Sequence, residues 1–189
     1  MSSHHIVREN QEPALIVASL KGLNAEYLGQ LLEWSPSIFA SDYTVDFLLS
    51  EQIKVDFVVG EKPNDTGFFQ EQTRFISPDG SFVDTALNYL IANNYKAVNI
   101  LTDVIPEGIA DFAKAINLVF FVDGVRHVLV HTDYEKWKQQ GDLLFVKESA
   151  LKSLVGVRKV ADDTFEVEHD GFIYLAFNTS DFVLVGETI

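Results

Sequence analysis

The chain contains no cysteine. This excludes disulfides, thiolate nucleophiles and cysteine-ligated zinc, and it agrees with a cytoplasmic protein. Basic residues are scarce: 14 Lys and Arg stand against 28 Asp and Glu, giving a formal net charge of −14. A phosphate-backbone binder needs clustered cations, so nucleic acid is not an expected partner. The same deficit argues against docking on an anionic membrane. No apolar run approaches the ~20 residues that span a bilayer. Residues 1–13 are polar and lack the basic, apolar and small-residue order of a signal peptide. They read as a flexible terminus, with His4-His5 as part of it rather than a metal site. Gly22 stands alone after the first apolar run, so the P-loop and the dinucleotide fingerprint are both missing. No serine sits on a Gly-x-Ser-x-Gly elbow. A single Met against 15 Phe points to an aromatic, well-specified core.

What is present reads as an α/β chain. The 189 residues are long enough for a sizeable core. Apolar runs at 14–20, 37–41 and 57–60 alternate with helical patterns at 25–34 and 45–52. Pro36 closes the first of these helices. Three strands and two helices in so short a span favour a parallel sheet with right-handed crossovers. A long connection with a short strand at 72–76 follows. Next come a helix at 82–92, a strand at 97–102, a helix at 110–121 and a strand at 127–130. After residue 133 the pattern changes to short β-branched or aromatic runs at 142–147, 155–160, 164–169, 172–177 and 181–185. Asp170-Gly171 between two of them predicts a hairpin. The expected architecture is an N-terminal parallel-sheet three-layer domain over 14–135 and a small antiparallel β domain over 136–189.

Acidic residues gather where such sheets bind ligands. Asp42, Glu61, Asp65, Asp103 and Asp111 fall at or just after the carboxyl ends of expected strands, or at the start of the following helix. Carboxylates there can hold Mg²⁺ against substrate phosphates. Helix capping and dipole compensation explain the same placement without a ligand. His127 and His131 lie four apart on an expected strand, but no third metal ligand is near them in sequence.

At these residues the chain resembles the thiamine pyrophosphokinase family. Lys21-Gly22, then Ser41-Asp42-Tyr43, then Ile53-Lys54-Val55-Asp56-Phe57-Val58-Val59-Gly60 follow the family's order. Thr85-Ala86-Leu87-Asn88-Tyr89-Leu90 and Lys96-Ala97-Val98-Asn99-Ile100-Leu101 resemble the helix and strand that precede its Gly-Gly-Arg-x-Asp-His motif. That motif falls on Glu107-Gly108-Ile109-Ala110-Asp111-Phe112. The resemblance spans roughly residues 14–135. It also shows departures. The Gly-Asp-x-Asp-Ser run keeps Gly60 but has Glu61 and Pro63 at its acids, and Asp65-Thr66 substitutes only across a two-residue insertion. Ile109 stands at the Arg and Phe112 at the His. The late Gly-Leu-x-Tyr-Pro-Leu and Ile-Ser-Asn stretches have no counterpart.

The resemblance implies transfer of a pyrophosphoryl group from ATP, with Mg²⁺, to thiamine, in a homodimer. On its residues, Glu61 and Asp111 are the catalytic candidates. Asp42, Gly60 and Gly108 are the cofactor-binding candidates, and Glu61, Asp65 and Asp111 the metal candidates. The departures imply a divergent member with degenerate Mg-ATP and thiamine sites and weak or no diphosphotransferase activity. Two alternatives stay open: a working kinase with a rearranged acid set, and a non-catalytic protein that binds a nucleotide or a thiamine-like molecule.

Overall fold

Continuous apolar runs in the first half build strands that are buried on both faces. The computed structural model describes residues 12–21, 25–63, 67 and 69–189. The terminus expected to be flexible, up to residue 11, lies outside them, as do Gly22, Asn24, Asp65 and Thr66. The first half runs β1 (Ala14–Val17), α1 (Ala25–Leu32), β2 (Ile38–Ser41), α2 (Val45–Ser50), β3 (Phe57–Val59), β4 (Arg74–Ile76), α3 (Phe82–Ala92), β5 (Ala97–Leu101), α4 (Ala110–Ala113) and β6 (Asn117–Val122). These six strands are parallel, in the order β4-β3-β2-β1-β5-β6.

Side chains alternate across this sheet as the pleat requires. On one face Ile16, Phe39, Phe57, Ile100 and Phe120 pack under α3 and α4. On the other, Leu15, Val17, Val58, Leu101 and Phe121 pack under α1 and α2. Phe39 stacks on Phe57 with ring centroids 4.4 Å apart. Ser81 caps α3: its hydroxyl accepts from the Asp84 N–H at 3.1 Å and donates to the Asp84 carboxylate at 2.7 Å.

The chain reverses at Asp123-Gly124. Both residues have positive φ, 48° and 75°, which a two-residue hairpin of this twist demands. β7 (Val125–Val130) therefore runs antiparallel to β6. The remaining strands are β8 (Tyr134–Lys138), β9 (Leu143–Phe145), β10 (Leu151–Val155), β11 (Val157–Ala161), β12 (Thr164–Val167), β13 (Gly171–Phe177) and β14 (Val183–Thr188). β7, β14, β9, β12 and β11 extend the parallel part into one eleven-stranded sheet. β10, β13 and β8 form a separate antiparallel sheet of three strands. Ile173 and Leu175 of this small sheet share a core with Leu144, Phe165 and Val185 of the large one. The small sheet thus covers the antiparallel part on the face that α1 and α2 cover elsewhere.

The α/β class and the antiparallel tail match the sequence reading, and two local expectations are corrected. The helix expected over 110–121 ends at Ala113, and Asn117–Val122 is a strand paired with β5. Ala110 to Ala115 favour helix, but Asn-Leu-Val-Phe-Phe-Val gains more as a strand buried beside β5. The hairpin expected at Asp170-Gly171 does not form. β12 pairs with β9 and β11, whereas β13 pairs with β10 and β8, so the dipeptide carries the chain from one sheet to the other. The Asp170 carboxylate fixes that corner by accepting from the Gln140 N–H at 2.8 Å. The division expected between residues 135 and 136 falls inside β8, and the large sheet continues through both parts.

Candidate functional site

Parallel strands place their carboxyl ends on one edge, and the residues after them converge there. The Ala18 and Ser19 N–H groups both donate to the Leu101 carbonyl, which holds the β1 and β5 ends together. Lys21 and Asp103, which follow those strands, form an exposed ion pair at 3.7 Å. The turn after β2 is fastened by Thr44, whose hydroxyl accepts from the Ser41 N–H at 3.0 Å and donates to the Val17 carbonyl at 2.8 Å. Asp42 and Tyr43 project from this turn into solvent. Gly60 follows β3, and its N–H donates to the Ile76 carbonyl of β4 at 3.0 Å. Among the described residues, the nearest atom to a Cβ on Gly60 would be the Asp42 Cβ, at 4.0 Å. Asp42 and Gly60 are therefore side by side, with Glu61 exposed just beyond.

Gly108 has a φ of 75°, and the turn it makes leads into α4. Asp111 projects into solvent, its side chain 81% exposed, and Lys114 Nζ lies 2.6 Å from its carboxylate. The hydrogen bond and charge of Lys114 hold the Asp111 carboxyl below its ordinary range. Ile109 turns inward at 6% exposure, and Phe112 packs against the same core. Asp56 serves the sheet itself, since its carboxylate accepts from the Ile38 N–H at 3.0 Å and so ties β3 to β2. Asp65 lies outside the described residues. Among the described residues no group of three His, Asp or Glu side chains is arranged to hold a metal ion.

A cavity of about 570 Å³ opens on the uncovered face of the antiparallel part. Its walls include Ile105 and Ile109 from the crossover after β5, and His127, Leu129, Phe145 and Leu184 from the sheet. His127 Nδ1 is buried with no hydrogen-bond partner among the described residues, and burial pushes the imidazole pKa down. The ring lies over Gly186, where a Cβ would sit 2.7 Å from Cε1 and Nδ1. His131 instead meets Phe182 edge-on at 5.2 Å. The sequence singled out His127 but not the cavity, because the pairing of β7 with β14 creates it.

No protein-family model matches the chain, and no curated protein sequence matches it. Solved structures do. Thiamin pyrophosphokinase from Bacillus subtilis superposes with a TM-score of 0.67 at 10% identity, covering 93% of this chain and 98% of its own. Yeast thiamin pyrophosphokinase gives a TM-score of 0.67 at 6% identity, over 98% of this chain and 88% of its own. Thiamin pyrophosphokinase from Candida albicans gives 0.67 at 9% identity, over 95% and 89%. The chain has the thiamin pyrophosphokinase fold. Identities this low establish the fold alone. The thiamin pyrophosphokinase resemblance read from strand order and hydrophobic pattern is thus matched over nearly the whole chain, including the β tail.

Proposed function

We propose that the protein is a divergent thiamine pyrophosphokinase-like protein with degenerate Mg-ATP and thiamine sites and little or no diphosphotransferase activity. The observation that carries this reading is the burial of Ile109 and the packing of Phe112 against the core. At these positions the family motif has an Arg and a His. Phosphoryl-group transfer depends on charge placed against the phosphates. Losing one such contact commonly costs on the order of 10²–10³ in rate. A buried isoleucine supplies no charge, and a phenylalanine supplies no donor.

The acids left for Mg²⁺ do not form a strong set. Asp111 is already paired with Lys114, and Glu61 is exposed at a loop. Mg²⁺ sites use one or two fixed carboxylates with the substrate phosphates. The donors do not fit a firmly held Mg-ATP. Asp42, Gly60 and Gly108 are the proposed ligand-facing positions at the carboxyl edge. Glu61, Asp65 and Asp111 remain the acids through which residual activity would run.

The competing reading, a non-catalytic protein for a nucleotide or thiamine-like molecule, is favoured by the cavity beside His127. We further propose a cytoplasmic homodimer. The outer face of the three-stranded sheet exposes Trp137, Phe172 and Val155, an apolar surface suited to a second copy. A coupled assay with ATP, Mg²⁺ and thiamine tests the activity. The expected result is no useful turnover. Turnover typical of a thiamine pyrophosphokinase, abolished by Glu61→Gln and by Asp111→Asn, would overturn the reading.

A further inference from the structure

A charge cluster gathers between the two sheets around one buried carboxylate. Glu187 of β14 is only 4% exposed at its side chain. Arg126 Nη1 donates to its Oε1 at 2.6 Å, Lys136 Nζ reaches the same oxygen at 2.6 Å, and Lys138 Nζ reaches Oε2 at 2.5 Å. Asp142 stands 3.8 Å from Lys138. Three cations therefore share two carboxylates, in a chain whose net charge is −14. Burial alone would raise the Glu187 pKa, but hydrogen bonds from Lys136 and Lys138, with their charges, hold it at about 2. Arg126, Lys136 and Lys138 are thus held around one ionised carboxylate by the fold.

Arg126 also faces a cavity of about 410 Å³. The cavity lies in the seam between α1, with the segment before β1, and the large sheet at β5, β6 and β7. Phe121 and Arg126 are register partners on β6 and β7 and form its floor. Tyr27 of α1 lies against Phe121, ring centroids 5.5 Å apart. Trp34 stands at the rim at 67% exposure. Asn99 adds an amide, and Glu12 lies at the mouth. Among the described residues only Glu187 accepts a hydrogen bond from Arg126, and a guanidinium has five N–H donors. Aromatic walls with one cation at the floor recognise a flat apolar ring that bears an anionic group. Seams between layers are frequent ligand sites.

We propose that this seam binds a small aromatic anion, its ring packed against the touching Tyr27–Phe121 pair and beside Trp34, and its carboxylate or phosphate on Arg126. The site is separate from the carboxyl edge and does not depend on any transferase activity. Glu12 at the mouth disfavours a ligand with a second anionic group at its far end. The test uses the full chain carrying Trp137→Phe, which leaves Trp34 as the single indole reporter. Phenylacetate, phenyl phosphate and the neutral phenylacetamide are titrated at millimolar concentrations while Trp34 fluorescence is followed. The two anions should saturate and bind about tenfold or more tightly than phenylacetamide, the effect of a hydrogen bond to a charged group. Arg126→Gln should erase that preference while phenylacetamide binding persists. Should Arg126→Gln fail to fold, Arg126→Lys serves instead: it keeps the charge and loses the fork, so the preference should shrink. Trp34→Ala, an exposed site, should weaken thermal stabilisation by all three compounds. Equal binding of phenylacetate and phenylacetamide, or no saturable signal from either anion, would overturn the proposal.

Discussion

Two positions on β14 show how single residues are set by their surroundings. Gly186 is the place where His127 crosses the strand, and a methyl group there would collide with the imidazole. Gly186→Ala should destabilise the protein by about 1–3 kcal/mol through overpacking. Much of that loss should return when His127→Ala is added, and chemical denaturation of the single and double variants measures it. Glu187 is the neighbour of Gly186 on the opposite face. Replacing it with Gln leaves Arg126, Lys136 and Lys138 without their shared anion, at an expected cost of about 3 kcal/mol. The acids at the carboxyl edge could be named from sequence because each follows an apolar run or opens the next helix. Glu187 gave no such signal, since its partners are 49 or more positions away along the chain.

Elements are legible in proportion to the strength of their own pattern. α3 spans Phe82–Ala92 as expected because Ser81 caps it and Val83, Ala86, Leu87 and Leu90 repeat on one face. Ser81→Ala should cost about 1 kcal/mol, read as a lower melting temperature with little change in the native spectrum. β6 reads as helix from sequence because its composition permits either state, and the ladder with β5 decides for strand. β8 and β10 leave no such trace. β8 is rich in charge, and its Lys136 and Lys138 point inward to Glu187, which no alternation of apolar residues announces. Asp123-Gly124 is the tight hairpin, while the identical dipeptide at 170–171 is a sheet-to-sheet link. Local turn chemistry is the same in both, and strand pairing makes the difference.

At the scale of the whole molecule, acid should loosen the fold in two stages. His127 titrates below its ordinary value of 6.5 when folded, so the unfolded chain takes up its proton first. Stability should begin to fall as pH drops below about 6.5, and His127→Phe should remove that component. Glu187 has a folded pKa of about 2 against an ordinary 4.5. Its contribution is complete above 4.5 and is lost as pH falls from 4.5 towards 2. Denaturant titrations across this range, with Glu187→Gln flattening the lower stage, check both. Phe39, fully buried on Phe57, sits in the parallel half, and Phe39→Ala should cost about 3–5 kcal/mol. If the eleven-stranded sheet unfolds as one unit, the loss should appear equally in probes of both halves.

The order of apolar runs by itself determined the parallel α/β half except for β6, because strands buried on both faces and amphipathic helices advertise themselves by period. It also determined that the tail is β, and it located Asp42, Glu61, Asp103 and Asp111 near strand or helix ends, whereas Gly60 and Gly108 were candidates only through the family resemblance. Only the tertiary structure decided that the two halves share one sheet and that the tail folds back as a second layer. It alone turned Ile109 into the core, paired Asp111 with Lys114, and set Arg126 beside Phe121 under Trp34. These outcomes depend on pairing between strands far apart in sequence. A strand's own residues fix which of its faces is buried, but the energy that chooses its neighbour comes from the other strand.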